Sequence, residues 1–337
     1  MEETIAVDSS ISLNHIYRAI KMISEIPFFS DKNARISRIE TLPGGLTNFN
    51  FKVTVDNVTY ALRIAGDGTA EFLNRPAEKH NASIMAEIGI SAPIIYYNPV
   101  TGDQVCKYID NCKTLHVPDF HDPENLRMAA RIFRKYHTSG QEFLARFDPL
   151  KEKDNYEEIL AKKNAERYND LDRMLAKFEE IRTLFHEHPQ PLVACHNDPL
   201  AENYLVNETG MYLIDWEYSG MNDAAFDLGD FSTENGLSKE EDAILLCEYF
   251  GGQVTRKQYG LVLMNKFVCN TLWCIWALLQ MSNGKPKAEY WPWGHLRIDR
   301  CEAQMNDPEF DVYMQAIRDD SDEIVFSITQ DAKVSVA

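Results

Sequence analysis

A short polar stretch beyond the middle of the chain is the feature that most constrains the fold. In ACHNDPLAENYLV, residues 194–206, a His-x-Asp is followed by an asparagine five positions after the aspartate. Two β-type runs come next, YLVN and MYLIDW, joined by the turn ETG. Asp215 ends the second run, so the hairpin is predicted to bring Asp198, Asn203 and Asp215 to one place.

These three side chains fit the chemistry of phosphoryl transfer. One carboxylate can orient the attacking hydroxyl and accept its proton, while an amide oxygen and a second carboxylate hold Mg²⁺ on nucleotide phosphates. The order H-x-D-x4-N followed by a strand-ending I-D is typical of protein-kinase-like phosphotransferases. A His-Asn-Asp triplet alone would be typical of a turn or a helix cap. The complete order, with strands between its parts, favours the catalytic interpretation.

An antiparallel sheet is predicted near the N-terminus. The runs ISRIETL, FNFKVTV and TYALRIA, within residues 36–65, are joined by PGGLTN and DNV, which carry glycine and Asx turn chemistry. In the first turn, Gly44 and Gly45 would let backbone amides approach phosphate oxygens, and Thr47 and Asn48 add donors. A pair of glycines is by itself typical of a simple turn.

Arg63 is a charged residue in the otherwise apolar run YALRIAG and therefore needs a partner. A helical pattern follows over residues 75–88 and stops at Gly89, and Glu78 on that helix would supply the partner. The pair would present the guanidinium to the α- and β-phosphates of a nucleotide. An ordinary salt bridge is the alternative, and the position of the pair in the chain favours the phosphate role.

The remaining pattern predicts an α+β, two-lobed, protein-kinase-like fold. Two more strands, at residues 93–97 and 104–109, precede a change to helical patterns from Pro123 to about residue 318. The charged stretch 151–188 is predicted to form one or two exposed helices, and the tail after Asp319 to be irregular. With 337 residues, 45% of them apolar, the chain exceeds the roughly 250–300 residues of one core.

Two lobes are predicted to divide the work. Residues 1–110 form an N-terminal nucleotide-binding lobe with an antiparallel sheet, and a hinge lies at about 107–115. Residues 111–337 form a larger, mainly helical lobe for catalysis and substrate binding.

Net charge, cysteine content and hydropathy limit the expected partners and the expected compartment. A net charge of -18 and a pI near 4.9 argue against nucleic acid, whose binders need a basic face. Seven cysteines without C-x-x-C spacing predict free thiols and a cytoplasmic protein. The most apolar run, residues 261–280, contains Asn265, Lys266 and Asn270 and is predicted to be a buried or cleft-lining helix, with no insertion into a membrane.

The chain resembles the choline/ethanolamine kinase family, within the aminoglycoside-phosphotransferase-like group, over roughly residues 35–305. GGLTN is similar to the family's phosphate-loop hairpin, YALRIAG to its arginine-bearing strand and HNDPLAEN to its catalytic loop. LIDWEYSGMNDAAFDLGDFSTE is the most specific match, because it is similar to the choline branch rather than to general aminoglycoside kinases.

The resemblance implies a role for each matched residue. Asp198 is expected to be the catalytic base, with Asn203 and Asp215 as Mg²⁺ ligands. Glu217 is expected near the metal or the substrate. Two residues are expected to support the catalytic loop by hydrogen bonding, His196 and Asp227. The hinge is expected to offer its backbone to adenine at Lys107, Tyr108 and Ile109.

Choline carries a quaternary ammonium group that cannot donate a hydrogen bond, so its site must use aromatic faces and diffuse negative charge. Trp273 and Trp276, three residues apart, share one helix face. The resemblance adds Tyr218 and Glu234, and Tyr290 is a further candidate. Each ring could contribute on the order of 0.5–2 kcal/mol. Aromatic pairs at helical spacing are also typical of a protein core.

Two nearby tryptophans, Trp291 and Trp293, are weaker candidates, because Pro292 between them is predicted to break the helix.

The predicted function is an ATP- and Mg²⁺-dependent choline kinase that produces phosphocholine. Ethanolamine kinase remains open because carboxylates such as Glu217, Asp230 and Glu234 could hold a primary ammonium. An aminoglycoside-type kinase and a non-catalytic kinase-like binding module also remain open. The oligomeric state is not predicted.

Overall fold

The computed structural model describes residues 5–43, 48–66, 73–328 and 334–336. The chain forms two compact units. The first is drawn from three stretches: Met1–Leu115, Phe143–Ala145 and Glu202–Ser219. The second comprises His116–Glu142, Arg146–Ala201 and Gly220–Ala337.

The secondary structure mixes strands and helices, as predicted. The described strands are β1 (Ala6–Val7), β2 (Ile36–Thr41), β3 (Phe49–Val55), β4 (Val58–Ile64), β5 (Ile94–Tyr97), β6 (Gln104–Lys107), β7 (Lys113–Thr114), β8 (Leu192–Cys195), β9 (Tyr204–Asn207), β10 (Gly210–Leu213), β11 (Gly220–Asp223), β12 (Gln253–Thr255), β13 (Ile324–Ile328) and β14 (Val334–Val336). The described α-helices are α1 (Leu13–Glu25), α2 (Pro27–Ser30), α3 (Arg75–Glu87), α4 (Pro123–His137), α5 (Pro149–Lys162), α6 (Leu171–Glu187), α7 (Ala224–Glu234), α8 (Lys239–Phe250), α9 (Arg256–Ser282), α10 (Lys287–Asn306) and α11 (Glu309–Arg318).

The first unit is built on a six-stranded sheet with the order β1-β2-β3-β4-β6-β5. Strand β3 alternates buried and partly exposed side chains, with Phe51, Val53 and Val55 facing a core that α1 covers through Ala19 and Ile23. The three predicted strands and the predicted helix α3 are confirmed. The sequence patterns do not predict α1.

A second sheet in the first unit has the order β10-β9-β7, and the β9–β10 hairpin is the one predicted from YLVN and MYLIDW. The buried Asn81 on α3 ties the stretches of this unit together. Its Nδ2 donates to the backbone oxygen and the hydroxyl of Ser219, both at 3.1 Å, and its Oδ1 accepts from the backbone N–H of Leu144 at 3.2 Å.

The second unit is mainly helical. Helix α9 contacts α5, α6, α7, α10 and α11, and is therefore the central helix of the unit. By length and composition alone α9 could cross a membrane, but 83% of its most apolar window is buried inside the protein. The prediction of a buried helix here is confirmed. Two small sheets complete the unit: β8 with β11, and β12-β13-β14.

Three expectations about the second unit are wrong. The tail after Asp319 is not irregular, because β13 pairs with both β12 and β14. The stretch 151–188 contains two helices, but each buries one face, including Tyr156 on α5 and Phe178 on α6. Helix α10 runs through Pro292 without a break. The hydrogen bond that this proline removes would have used the carbonyl of Ala288, which lies in the exposed first turn.

Candidate active site

A buried ion-pair network forms around Arg63, which β4 places with a side chain only 11% exposed. The predicted partner is present, since Nη2 donates to Glu78 Oε1 on α3. The guanidinium also donates to the backbone oxygen of Gly102, at 3.3 Å from Nε and 3.0 Å from Nη2. Its Nη1 lies 3.4 Å from Asp215 Oδ1. Arg63 therefore links the large sheet, α3 and the end of the β9–β10 hairpin.

A second arginine in this network was missed by the sequence predictions. Arg75, at the start of α3, is 2% exposed. Its Nη1 donates to Glu78 Oε2 at 2.6 Å and to Glu217 Oε2 at 3.3 Å. Arg75 and Glu78 are three residues apart in one helix, which is a detectable pairing signal, but the contact with Glu217 spans 142 positions.

Arg63 and Arg75 lower the pKa of some neighbouring acids more than that of others. Burial works to raise the pKa of Glu78, but Arg63 and Arg75 outweigh it and hold the pKa below its usual value. For Asp215, burial dominates and raises the pKa, although Arg63 offsets part of the effect. Burial and the neighbouring Asp215 raise the pKa of Glu217 to about 7. For Asp215 and Glu217, unlike Glu78, the neighbouring arginines therefore do not outweigh the effect of burial on the pKa.

Asn203 and Asp215 are brought together by backbone pairing. The N–H of Ile214, next to Asp215, donates to the backbone oxygen of Asn203 at 3.0 Å. Asp215 has a left-handed φ of 66°, which is uncommon for a residue with a Cβ. A carboxylate and an amide oxygen are hard donors suited to Mg²⁺. These residues fit the metal that the family resemblance implies.

Asn48 and Glu217 are also held in the first unit. Asn48 Nδ2 donates to Glu217 Oε2 at 3.3 Å, while Asn48 Oδ1 accepts from the backbone N–H of Gly66 at 3.4 Å. Three other residues predicted to bind nucleotide lie outside the described part of the chain: Gly44, Gly45 and Thr47.

The predicted hinge follows β6. The backbone N–H of Lys107 donates to Pro93 at 2.8 Å, and that of Tyr108 donates to Thr59 at 3.3 Å. Lys107 is exposed, and Tyr108 and Ile109 are half-buried. Adenine binding by this segment stays a prediction.

In the second unit, Asp227 on α7 fixes the backbone before Asp198. Its Oδ2 accepts from the N–H of His196 at 2.8 Å, and its Oδ1 accepts from the N–H of Asn197 at 2.7 Å. Tyr136 and His137, two residues that the sequence predictions missed, also contact Oδ2, at 2.6 and 3.1 Å.

These contacts decide the ionisation of Asp227. Burial works to raise its pKa, but the hydrogen bonds and charge of His137, with the Tyr136 hydroxyl, hold the pKa below its usual value. Asp227 is therefore an ionised, fully buried anchor for the loop.

The loop itself is tightly turned. Asn197 has a left-handed φ of 66°, and its Oδ1 accepts from Asn222 Nδ2 on β11 at 2.9 Å. The backbone N–H of Asp198 donates to His196 Nδ1 at 3.3 Å. The side chain of Asp198 is half-buried at the end of this turn. The loop geometry thus leaves Asp198 partly open while its neighbours are buried.

An aromatic cluster lies where α9 meets α10. Its members are Trp273, Trp276, Tyr290 and Trp293, and we use the term for these four residues. The rings of Trp273 and Trp276 meet edge to face with centroids 6.1 Å apart. Trp276 also contacts Tyr290 at 6.0 Å and Trp293 at 5.8 Å. Trp293 belongs to the cluster because α10 continues through Pro292.

Two further residues predicted to bind the substrate, Glu234 and Tyr218, are not part of the aromatic cluster as defined above. Glu234, on α7, forms a paired ion contact with the buried Arg297, at 2.6 and 3.0 Å. Arg297 in turn lies over the ring of Trp293, 3.8 Å from its centroid. Tyr218 lies in the first unit, in the segment after Asp215. Its participation in the aromatic cluster stays a prediction.

Comparison with known proteins identifies the family. Residues 39–262 match the choline/ethanolamine kinase family. The chain belongs to that family. Kinases of the choline/ethanolamine family transfer phosphoryl groups to an alcohol acceptor and bind a nucleotide, so the predicted enzyme class is confirmed.

Individual relatives in the choline/ethanolamine kinase family agree in sequence and in fold. Protein LicA of Haemophilus influenzae is 27% identical over 73% of this chain and 75% of its own length. A family protein from Mesorhizobium loti is 33% identical, with 90% of this chain and 99% of that one covered and a TM-score of 0.78. Choline kinase LicA from Streptococcus pneumoniae shares the fold, with 24% identity, coverage of 86% and 98%, and a TM-score of 0.71. The predicted kinase-like α+β fold is confirmed.

Proposed function

We propose that this protein transfers the γ-phosphoryl group of ATP to the hydroxyl of choline, producing phosphocholine. The observation that carries the proposal is the aromatic cluster on α9 and α10 in a chain of this family. Aromatic faces attract a quaternary ammonium group, which offers no N–H for a hydrogen bond. The choline kinase LicA of Streptococcus pneumoniae, which shares the fold, agrees with this choice of acceptor.

In the proposed mechanism Asp198 orients the choline hydroxyl and accepts its proton as the oxygen attacks the γ-phosphate. Arg63, held by Glu78 and the Gly102 carbonyl, contacts the nucleotide phosphates from the N-terminal lobe, residues 1–110. His196 and Asp227 keep the loop before Asp198 in place. The backbone at residues 107–109 receives adenine.

Asn203 and Asp215 would hold Mg²⁺, with Glu217 close to Asp215. The ion supplies positive charge that neutralises phosphate oxygens when the nucleotide is bound. The residues themselves provide two hard oxygen donors on a hairpin whose backbone is fixed by the bond from Ile214 to Asn203.

Ethanolamine is the second candidate acceptor, because two acids, Asp230 and Glu234, lie on α7. A primary ammonium can donate hydrogen bonds to carboxylates such as Asp230 and Glu234. Glu234 is already bound to Arg297 by both oxygens, and this favours choline. The proposed compartment is the cytoplasm, consistent with seven free cysteines.

A direct comparison of acceptors tests the proposal. Mg²⁺-dependent release of ADP from ATP is measured with choline, ethanolamine and a typical aminoglycoside at equal concentration. We expect strong stimulation by choline and much weaker stimulation by the other two. Equal or greater stimulation by ethanolamine would move the assignment to ethanolamine kinase. Binding of choline in a thermal-shift assay, without binding of ATP and Mg²⁺, would instead indicate a non-catalytic binding module.

A further inference from the structure

Asp230 lies in the middle of α7, between Asp227 and Glu234, and is fully buried. Its Oδ1 accepts a hydrogen bond from the indole Nε1 of Trp273 at 2.9 Å. Among the described residues no N–H or O–H donor reaches Oδ2. The thiol of Cys269, on the same face of α9 as Trp273, is a weak donor beside the carboxyl group. A buried carboxyl group with one oxygen unpaired is costly and calls for a compensating role.

The nearest cation does not compensate Asp230. Arg297 on α10 faces both acids of α7, but Glu234 binds it with both oxygens. Burial and the negative charge of Glu234 therefore raise the pKa of Asp230 well above its usual value, and the Trp273 hydrogen bond and Arg297 offset only part of this. The packed region of α7, α9 and α10 around Asp230 would be stabilised by one more positive charge.

Trp273 connects Asp230 to the aromatic cluster. Its indole N–H edge is bound to Asp230, and its ring meets Trp276 at an interplanar angle of 90°. The hydrogen bond fixes the rotation of the indole. A cation at the ring would favour the ionised form of Asp230, and that carboxylate, which accepts the N–H bond, would push electron density into the ring and make its face more attractive to the cation.

We propose that Asp230 is a specificity-determining positioning residue for the cationic end of the acceptor. It acts through Trp273, whose ring it orients and whose negative face it strengthens. A cationic amino alcohol uses that added charge, whereas a neutral alcohol of the same shape does not. This inference rests on the proposed function, in which the aromatic cluster receives the ammonium group.

The test compares choline with its neutral isostere 3,3-dimethylbutan-1-ol, used as a substrate and as a competitive inhibitor. Asp230→Asn keeps the size and an oxygen acceptor for Trp273 but cannot ionise when a cation binds. We expect KM for choline to rise about tenfold in this variant. The inhibition constant of the neutral alcohol, KM for ATP and kcat should stay within about twofold.

Two further variants complete the design. Trp273→Phe keeps an aromatic ring but has no N–H, so its selectivity for choline over the neutral alcohol should fall to a similar extent. The double variant Asp230→Asn with Trp273→Phe should lose little more selectivity than either single variant. Asp242→Asn is the matched control, because it removes a buried carboxylate that binds Ser232 and Lys266 instead. It should leave the ratio of choline to neutral-alcohol affinity unchanged.

The possible results distinguish failure of the role of Asp230 from failure of the proposed function. Equal losses for choline and the neutral alcohol, or no loss for either, would overturn the role of Asp230 while leaving the proposed function intact. If Asp230→Asn did not fold, the choline selectivity of Trp273→Phe would decide. Wild-type protein that phosphorylated neither choline nor ethanolamine would overturn the proposed function itself, before any variant was compared.

Discussion

At the scale of single residues, Asp198 can be tested without altering the loop that carries it. Asp198→Asn preserves size, and Asp227 and His196 hold the backbone of the loop. Loss of the proton acceptor should lower kcat about 10²- to 10⁴-fold with little change in KM for ATP. Steady-state kinetics with choline provide the measurement.

The matched control for Asp198 is Glu208→Gln, an exposed acid in the β9–β10 turn, which should retain wild-type turnover. Near-normal kcat in Asp198→Asn would contradict its assignment as the base.

Functional residues could be predicted where they are unusual for their local sequence. Arg63 interrupts an apolar strand, so the need for a partner could be read locally, and Glu78 is that partner. Asn81 and Arg75 stand in ordinary polar positions of a helix. Their decisive contacts, with Ser219 and Glu217, are made across 138 and 142 positions, and no local pattern encodes them.

At the scale of elements, the approach of α7 to α9 depends on Gly229. A Cβ placed there would lie 2.9 Å from the backbone nitrogen of Lys266 and 3.0 Å from the backbone oxygen of Val262. Because these are backbone atoms, Gly229→Ala must push the helices apart. We expect a loss of about 1–3 kcal/mol in the free energy of unfolding, measured by urea denaturation.

A larger side chain provides the comparison at the same position. Gly229→Ser should be at least as destabilising as the alanine variant. If alanine instead stabilised the protein, as its higher helix propensity alone would predict by about 1 kcal/mol, the close helix packing would be disproved.

Elements were predictable where turn chemistry and side-chain alternation agreed. Strands β2, β3 and β4 and the end of α3 at Gly89, with its φ of 72°, follow from such signals. Strand β13 was missed because its existence depends on pairing with β12, about seventy positions earlier. The aromatic cluster was predicted only in part, because Pro292 was given more weight than the rest of α10.

At the scale of the whole molecule, Asp230 makes stability depend on pH. An unfolded aspartate ionises near pH 4, roughly, whereas the folded state holds this proton to a higher pH. As the pH rises above that value, unfolding releases a proton, and the free energy of unfolding falls. Asparagine does not titrate. Asp230→Asn should therefore gain stability relative to wild type between pH 5 and pH 8, measured by urea denaturation.

The exposed Asp172 on α6 gives the control for this pH effect. Asp172→Asn should show the same difference from wild type at both pH values. A difference for Asp230→Asn that did not change with pH would show that Asp230 is ionised in the folded protein across this range.

The first unit cannot finish folding as soon as its large sheet has been synthesised, because part of the unit lies much later in the chain. Its large sheet and α3 end by Leu115, but the stretch that carries Asp215 and Glu217, after the β9–β10 hairpin, ends at Ser219, 219 − 115 = 104 residues later. At roughly 5–20 residues per second, a ribosome needs about 5–20 s for that interval. Until then Arg63 and Arg75 share the single carboxylate of Glu78 within this network. The group formed by these two arginines and Glu78 therefore has one positive charge in excess until Asp215 and Glu217 have been synthesised, although residues 1–115 as a whole contain 13 Asp and Glu against 11 Lys and Arg.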